Sequence, residues 1–174
     1  MPDRTSPIAL RRLEARDLAA ALAIQAQSYP AFLREDEAAF ASRLDLLAGY
    51  CLAAERDGRL IAYLLAHGWP RAAPPAIGDR LDPAAPSQVL YIHDRAVSPE
   101  GRGVGAGRAL VDLAFDLASH DGLTTAELIA VEGAAPYWRA LGFTEPSIPP
   151  ALAAKVAAYG PAARWMSRPL APRD

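Results

Sequence analysis

The chain has 174 residues, 52% of them hydrophobic, with a formal net charge of −2 and a pI near 5.9. This length allows one well-buried core but not two ordinary domains, and the charge offers no basic field to attract nucleic acid. Three scattered histidines and one cysteine form neither a metal-ligand spacing nor a disulfide framework, so we expect no metal and interpret Cys51 as a small buried hydrophobe.

The N-terminal part predicts a strand followed by a helix. No segment approaches the roughly 20 apolar residues of a membrane span, and the N-terminus has no stretch of signal-peptide length. We therefore expect a cytoplasmic protein with no membrane partner and a flexible segment over residues 1–7. Residues 8–15 alternate enough for a strand, Asp17 can cap a helix over residues 18–27, and Pro30 stops that helix.

A second helix and a hairpin follow. Residues 34–48 have helical spacing and acids in the first turn. The apolar residues expected on the buried face of this helix are Phe40, Leu44 and Leu47. Residues 50–69 form two apolar runs around Asp57-Gly58, a dipeptide that predicts a tight hairpin turn between antiparallel strands.

The C-terminal half opens with a long loop. Residues 70–87 are rich in Pro and Ala, show no period, and are typical of a lid or of a segment that packs on a second subunit. The later elements are a strand over 88–97, a glycine cluster, an apolar-striped helix, a strand over 123–131, a short helix ending at Gly142, a final strand pair, and a tail with a helix from Ala151 and a strand over 163–170.

The glycine cluster lies between a strand and a helix start. That arrangement gathers free backbone N–H groups and the positive end of the helix dipole, so we expect an anion there. A nucleoside-triphosphate loop needs Lys and then Ser or Thr after its last glycine, whereas Gly107 is followed by Arg108-Ala109.

A dinucleotide fingerprint is met only loosely. Gly101, Gly103 and Ala106 have the approximate spacing, and Glu132 stands where a ribose-binding acid could lie. However, residues 98–100 separate the strand from the glycines, and the second mononucleotide half of that fold is missing.

A third pattern matches in more detail. RGVGAG at residues 102–107 resembles the Arg/Gln-x-x-Gly-x-Gly/Ala signature of the GNAT acyltransferases, and AVSPEGRG before it and AAPYWRALGF after it resemble the flanking motifs of that family. The resemblance extends over about residues 8–170, which we expect to be a single domain followed by a tail at 171–174. It implies an α/β GNAT fold, with a mixed, mostly antiparallel sheet of about seven strands splayed between the fourth and fifth strands and flanked by helices.

The resemblance also implies a site for acetyl-CoA. The residues that it assigns to CoA binding are Ala96, Val97, Arg102, Gly103, Val104, Gly105, Ala106, Gly107, Arg108 and Trp138. In the family the glycine loop wraps the diphosphate, and the N–H of Val97 would hold the thioester oxygen while an amine attacks directly. The expected acceptor is the amine of a small molecule, an amino acid or a peptide. The alternative is an acyl-CoA-binding regulatory or interaction module with little transferase activity.

His93 is the candidate general base. Its position, four residues before Val97, is similar to that of a histidine in serotonin-acetylating members of the family, and imidazole accepts protons near neutrality. Strand alternation predicts that Tyr91, His93 and Arg95 share one face and that Asp94 lies on the other. A packed structural histidine is the alternative, and Asp94 is a lesser catalytic candidate.

The candidate acid is less clear. Many family members carry, at the position of Trp138, a tyrosine that protonates the departing thiolate, and an indole N–H cannot do this. Tyr137 lies about 100° around the helix and would reach the sulfur only if the helix is rotated, so we favour packing against the core for it.

Tyr29, Tyr91 and Trp69 are the candidate substrate-binding residues. The acids at residues 35–37 lie where family members bind the acceptor, although a solvated helix start is the favoured interpretation. Tyr159 and Trp165 could wall the same cavity. The resemblance allows either a monomer or a homodimer.

Overall fold

A computed structural model describes residues 6–172. Most of the expected flexible N-terminus, and residues 173–174 of the tail, therefore lie outside the described part. In chain order the elements are β1 (Ala9–Arg12), α1 (Leu18–Ser28), α2 (Glu37–Leu44), β2 (Leu52–Arg56), β3 (Arg59–Trp69), β4 (Val89–Val97), α3 (Ala106–His120), β5 (Thr125–Ala130), α4 (Ala135–Ala140), α5 (Pro150–Ala157) and β6 (Arg164–Pro169).

The six strands of the described residues form one sheet in sequence order, with β4 and β5 parallel and all other neighbours antiparallel. Helix α3 packs on one face through Leu110, Val111 and Ala114, while α1 and α2 cover the other. This is the expected mixed, helix-flanked sheet. Six strands form where the sequence suggested about seven, because the segment after Phe143 contributes only an isolated bridge between Thr144 and Ser167.

Local signals placed the first elements well. Helix α1 ends at Ser28, two residues before Pro30, and Asp57 and Gly58 adopt φ angles of 51° and 73° in the turn between β2 and β3. Paired positive φ values are what a two-residue hairpin turn requires. The second helix is shorter than predicted. It ends at Leu44, so Leu47 leaves the buried face where we placed it and is 93% exposed.

The sheet opens between β4 and β5. These strands pair only where Leu90–Ile92 face Ala126–Leu128, and no other strand of the described residues pairs with the rest of β4 on that side. After β5 the chain turns away through Glu132 and Gly133, which have positive φ angles of 48° and 77°. The predicted splay between the fourth and fifth strands is confirmed, and we call the opening the wedge.

A β-bulge at His93 changes which side chains share a face of β4. Asp94 lies opposite Leu65 and Ile92 lies opposite Ala66, so His93 is the extra residue. The predicted alternation is therefore wrong beyond this point. Asp94 joins His93 on the side of α1 and α2, and Arg95 lies on the opposite side, against Tyr137 of α4. Within residues 6–172, no helix combines the length and hydropathy needed to span a membrane.

Candidate active site

The first cavity lies where the wedge meets the start of α3. It encloses about 530 Å³, and we call it the loop cavity. Of the residues predicted to bind CoA, those that line it are Ala96, Val97, Arg102, Gly103 and residues 105–108. Val104 does not line this cavity but packs, partly buried, against the core. Trp138 belongs to a second cavity, described below.

Two glycines of the loop are required by geometry. Gly105 caps α3 with φ of +77°, a left-handed conformation that few other residues adopt readily. A Cβ on Gly107 would lie 2.0 Å from Arg95 Nη1, so a side chain there would displace the guanidinium. Because α3 begins at Ala106, the N–H groups of its first turn have no acceptor within the helix. The positive end of the helix dipole therefore lies at the loop cavity.

The free edge of β4 presents the N–H of Val97 to the wedge. The N–H of Ser98 donates to the carbonyl of Ile61 on β3 at 2.8 Å. Successive residues of an antiparallel ladder alternate in direction, so the N–H of Val97 points away from β3. The same edge carries the carbonyl of Arg95, which accepts a hydrogen bond from the Tyr29 hydroxyl at 2.8 Å. Tyr29 thus holds the strand edge beside the Val97 N–H.

A second cavity of about 220 Å³ continues from the loop cavity, and we call it the inner cavity. Both cavities are lined by Tyr29, Arg95 and Tyr137, so these residues form the junction. The guanidinium of Arg95 stacks over the Tyr137 ring, 4.2 Å from its centroid. The predicted residues Tyr29, Tyr91, His93, Tyr137 and Trp138 all line the inner cavity.

Trp69 is not brought into either of these cavities. Its indole N–H donates to the carbonyl of Ala73 at 2.8 Å, and its ring packs beside His67. Trp165 packs in the same cluster, whereas Tyr159 does line the inner cavity. Trp69 therefore fixes the start of the long loop. Its predicted contact with substrate stays a prediction, because Trp69 lines neither the loop cavity nor the inner cavity.

His93 belongs to a buried ionic network. Its Nε2 lies 2.8 Å from Glu35 Oε1, which also pairs with Arg43 Nη2 at 3.0 Å. The other oxygen of Glu35 accepts from the N–H of Gly78 at 2.6 Å. Burial opposes ionisation of Glu35, but the hydrogen bond from His93 and the charges of His93 and Arg43 outweigh it and lower the pKa of Glu35. Glu35 is therefore a carboxylate near neutral pH.

This network corrects the favoured interpretation of the acids at residues 35–37. Asp36 caps α2 by accepting from the N–H of Ala39, and Glu37 is exposed, as a solvated helix start would be. Glu35, however, is only 6% exposed and forms the buried network. Nothing in the local sequence separates it from its neighbours. The burial of Arg43 could have been predicted from the sequence, because Arg43 follows Phe40 by three residues and so lies on the apolar face of the helix. A charged residue on a buried face needs a buried partner.

The network also indicates which ring nitrogen carries the hydrogen when His93 is neutral. The Glu35 carboxylate only accepts hydrogen bonds and lies 2.8 Å from Nε2, closer than the 3.3 Å between Nε2 and Arg43 Nη2, so we assign the hydrogen to Nε2. The other nitrogen, Nδ1, is then a free lone pair, and it is buried without a hydrogen-bond partner among the described residues. His93 can accept a proton at this atom.

Asp94 is a second buried acid on the inner cavity. Its Oδ2 accepts from the Tyr63 hydroxyl, whereas its Oδ1 is buried and has no partner in the described structure. Burial raises the pKa of Asp94, although the neighbouring hydroxyls of Tyr29 and Tyr63 oppose this. The folded protein thus holds a proton on Asp94 at a higher pH than the unfolded chain does.

This raised pKa predicts the pH dependence of an Asp94→Asn variant. The stability linked to protonated Asp94 is present below the ordinary pKa of 3.8 and is lost as the pH rises through the folded value. Relative to the wild type, Asp94→Asn should therefore gain stability as the pH rises from the ordinary pKa of 3.8 through the raised pKa of folded Asp94. Urea unfolding of both proteins at each pH measures this, with Asp57→Asn in the hairpin turn as the control. A relative loss at high pH would mean that the ionised carboxylate is favoured.

Helix α4 places its two aromatic residues differently from each other. Trp138 is 7% exposed and packs edge-on against Phe143, with ring centroids 5.4 Å apart. Tyr137 is partly buried against the core, as favoured from the sequence, but its hydroxyl is buried at the junction of the cavities and has no hydrogen-bond partner in the described part of the chain. Core packing explains the ring of Tyr137 and leaves its hydroxyl unexplained.

The long loop is tied to the body of the protein. The Tyr159 hydroxyl donates to the Pro75 carbonyl at 2.6 Å, the Ala72 N–H donates to Glu127 Oε2 at 2.9 Å, and Arg43 donates to the Asp79 carbonyl. Together with the bond from Gly78 to Glu35, these contacts hold the loop across the far end of the inner cavity. Ile77 of this loop is part of the cavity wall.

The fold has many solved relatives. The ribosomal-protein-S18-alanine N-acetyltransferase of Escherichia coli has a TM-score of 0.69 at 21% identity, covering 97% of each chain. Rv2747 of Mycobacterium tuberculosis, solved with CoA, has a TM-score of 0.70 at 18% identity, covering 94% of this chain and 99% of that one. Naa50 of Arabidopsis thaliana, solved with the bisubstrate analogue CoA-Ac-MVNAL, has a TM-score of 0.66 at 14% identity, covering 92% and 97%. At these identities the neighbours establish the fold alone.

No curated protein matches the sequence. The match to a family is nevertheless extensive, because it begins at the first residue of α1 and ends just after α4, and so includes the glycine loop, the wedge and His93. Residues 18–143 match the acetyltransferase (GNAT) family, and the chain belongs to that family.

Proposed function

We propose that the protein is an N-acetyltransferase that moves an acetyl group directly from acetyl-CoA to a primary amine of a small molecule, amino acid or peptide. One observation carries the proposal: the inner cavity, with the free nitrogen of His93, joins the anion-binding loop at the junction beside the Val97 N–H. The proposed acetyl-CoA site, the proposed polarising N–H and the proposed base would thus lie along one continuous path.

The residues present fit a CoA diphosphate. The first-turn N–H groups of α3 suit an anion, and Arg102, Arg108 and Arg95 surround the loop cavity with positive charge. Arg108 forms an ion pair with Asp112, with 3.0 Å between Nε and Oδ2, whereas Arg95 has no carboxylate partner among the described residues. The free edge of β4 would hold the pantetheine arm in the wedge.

Acetyl-CoA, when bound, supplies an acetyl group activated as a thioester. The N–H of Val97 would donate to the thioester oxygen, where negative charge grows as the amine attacks, and so stabilises the transition state more than the ground state. Tyr29 supports this donor by holding the neighbouring carbonyl of Arg95. No covalent intermediate with the enzyme is required.

His93 would prepare the amine. Amines are protonated near neutral pH, so one proton must leave before nitrogen attacks, and Nδ1 of His93 is free to take it while Glu35 orients the ring through Nε2. The nitrogen then bonds to the acetyl carbon as the carbon–sulfur bond breaks. The ammonium group loses two protons in all, one to His93 and one that ends on the sulfur.

Tyr137 is the group best placed to give the sulfur its proton. Its unpartnered hydroxyl lies at the junction, and Trp138 cannot supply a proton. A thiol ionises near pH 8.5, so a thiolate is a tolerable leaving group and the acid contributes modestly.

Tyr137→Phe should therefore lower kcat by roughly tenfold while acetyl-CoA affinity is kept. Trp138→Phe, the matched variant on the same helix, should change kcat less and act mainly by weakening acyl-CoA binding through lost packing. Steady-state kinetics and calorimetry separate the two effects. A loss of about 100-fold or more in Tyr137→Phe would make its proton indispensable, and no loss would leave protonation to solvent.

The activity is tested by incubating the purified protein with acetyl-CoA and a panel of amines, amino acids and peptides. Amine-dependent release of free thiol, with the acetylated product identified by mass, is the expected result. Tight acetyl-CoA binding without turnover of any acceptor would instead support a CoA-binding regulatory module.

A further inference from the structure

We propose that the acceptor is a small primary amine with an apolar body and no carboxylate, and that its ammonium group binds the free carboxylate oxygen of Asp94. This inference rests on the proposed transferase function and specifies the acceptor class of the same site.

The size of the inner cavity limits the acceptor. Its volume of about 220 Å³ lies below the ~300–1,000 Å³ usual for pockets that bind drug-sized ligands, and part of it adjoins the wedge. Away from the junction its walls are mostly apolar and aromatic, formed by Leu33, Ile77, Tyr91, Ile129 and Tyr159. Such walls favour a body of a few carbons or a single ring.

The long loop obstructs the far end of the cavity for a polypeptide. The long loop crosses it and is held by hydrogen bonds from Tyr159 to Pro75 and from Gly78 to Glu35, both at 2.6 Å. The bond to Glu35 is charge-assisted, and Glu35 also carries the contact with His93. A peptide entering from this side would have to break these bonds and disturb the base, whereas a small amine would not.

The charges around the cavity disfavour a carboxylate. Arg43 is fully buried, and its Nη atoms already bond to Glu35, Ala39, Ser42 and Asp79. Burial lowers the pKa of His67 to about 3, so this ring beside His93 is neutral. The remaining cation, Arg95, lines the junction of the two cavities, where its guanidinium stacks on Tyr137 and lies against Gly107 at the start of α3, away from the apolar end of the inner cavity.

Asp94 offers the complementary group for an ammonium ion. The Tyr29 hydroxyl lies beside it but gives its proton to the Arg95 carbonyl, and Tyr63 binds Oδ2, so Oδ1 keeps a free acceptor. A buried acceptor without a donor is uncommon in folded proteins. An ammonium group would satisfy it and would stabilise the charge that burial disfavours, next to His93.

The experiment compares amines that differ only in a carboxylate. The pairs are 3-methylbutylamine with L-leucine and 2-phenylethylamine with L-phenylalanine, together with an unblocked alanine tetrapeptide. We expect kcat/KM to be higher for each amine by about 100-fold or more, because an unpaired carboxylate is costly to bury, and no turnover of the peptide. If the amino acids or the peptide are acetylated with a kcat/KM comparable to that of the amines, the proposed acceptor class is wrong and the proposed transferase function stands. Absence of turnover with every acceptor, with acetyl-CoA still bound, overturns the transferase function and the acceptor class with it.

Asp94→Asn tests the ammonium contact itself. The variant should raise KM for the preferred amine by about tenfold or more, as expected for a lost charge-assisted hydrogen bond, with acetyl-CoA affinity unchanged. Asp57→Asn makes the same chemical change in the distant hairpin turn and should leave KM as it is. An unchanged KM in folded Asp94→Asn rejects Asp94 as the binding partner.

Discussion

His93→Ala should lower turnover at neutral pH by about 100-fold or more, the usual contribution of a general base, while acetyl-CoA affinity barely changes. The expectation follows from the placement of the ring: Nε2 is held by Glu35, Nδ1 has no partner within residues 6–172, and the side chain lines the inner cavity away from the glycine loop. Removing the imidazole takes away the proton acceptor and leaves the loop cavity intact.

The pH profile distinguishes a base from a structural histidine. When the pH is raised, the amine arrives already deprotonated, so the deficit of His93→Ala should shrink towards alkaline pH. His120→Ala, an exposed position at the end of α3, is the matched control and should match the wild type throughout. A deficit that stays constant with pH would mean that His93 only supports the buried network of Glu35 and Arg43.

Features that depend on local sequence were predictable. The hairpin at Asp57-Gly58, the end of α1 before Pro30, and the glycine-capped start of α3 each follow from the φ angles that a few adjacent residues allow. The splay of the sheet came from the family resemblance. The glycine-loop wall of the loop cavity could be anticipated, because its residues at 101–108 are nearly consecutive in the chain.

Features that depend on contacts between distant segments were not predictable. The bulge at His93 adds one residue to β4 relative to β3, and from there on every side chain changes face. Alternation in the sequence of β4 alone cannot reveal this. The pairing of Glu35 with His93 joins residues 58 positions apart, and it forms only because the segment between α1 and α2 lies beside β4.

The residues that line the inner cavity also depend on contacts between distant segments. Trp69 and Tyr91 lie on paired strands, opposite Val89 and His67 respectively, yet only Tyr91 lines the cavity, because the start of the long loop binds the Trp69 indole N–H. That loop has no periodic pattern from which its path could be derived. Its anchors are backbone groups, which all residue types share, and the sequence therefore does not mark them.

Gly105→Asp should weaken CoA binding by about 100-fold or more, because a carboxylate beside the diphosphate repels it, while the fold is kept. Gly105 caps α3 with φ of +77°, and nothing lies within 4 Å of the position that its Cβ would take. Asp and Asn tolerate left-handed φ better than other side chains, so either residue can be placed there with little backbone strain.

Gly105→Asn separates charge from shape in this experiment. It has nearly the same size and backbone preference as Asp, so any steric conflict with the ligand is shared, and we expect its CoA affinity to fall by roughly tenfold or less. Calorimetry with CoA measures both variants, and thermal unfolding shows that each is folded. Equal losses of CoA affinity in the two variants would mean that the size of the side chain at the start of α3, and not its charge, weakens binding. Unchanged affinity in both would place the diphosphate away from residues 102–107, and the proposed path from the loop cavity to His93 would then lose its starting point.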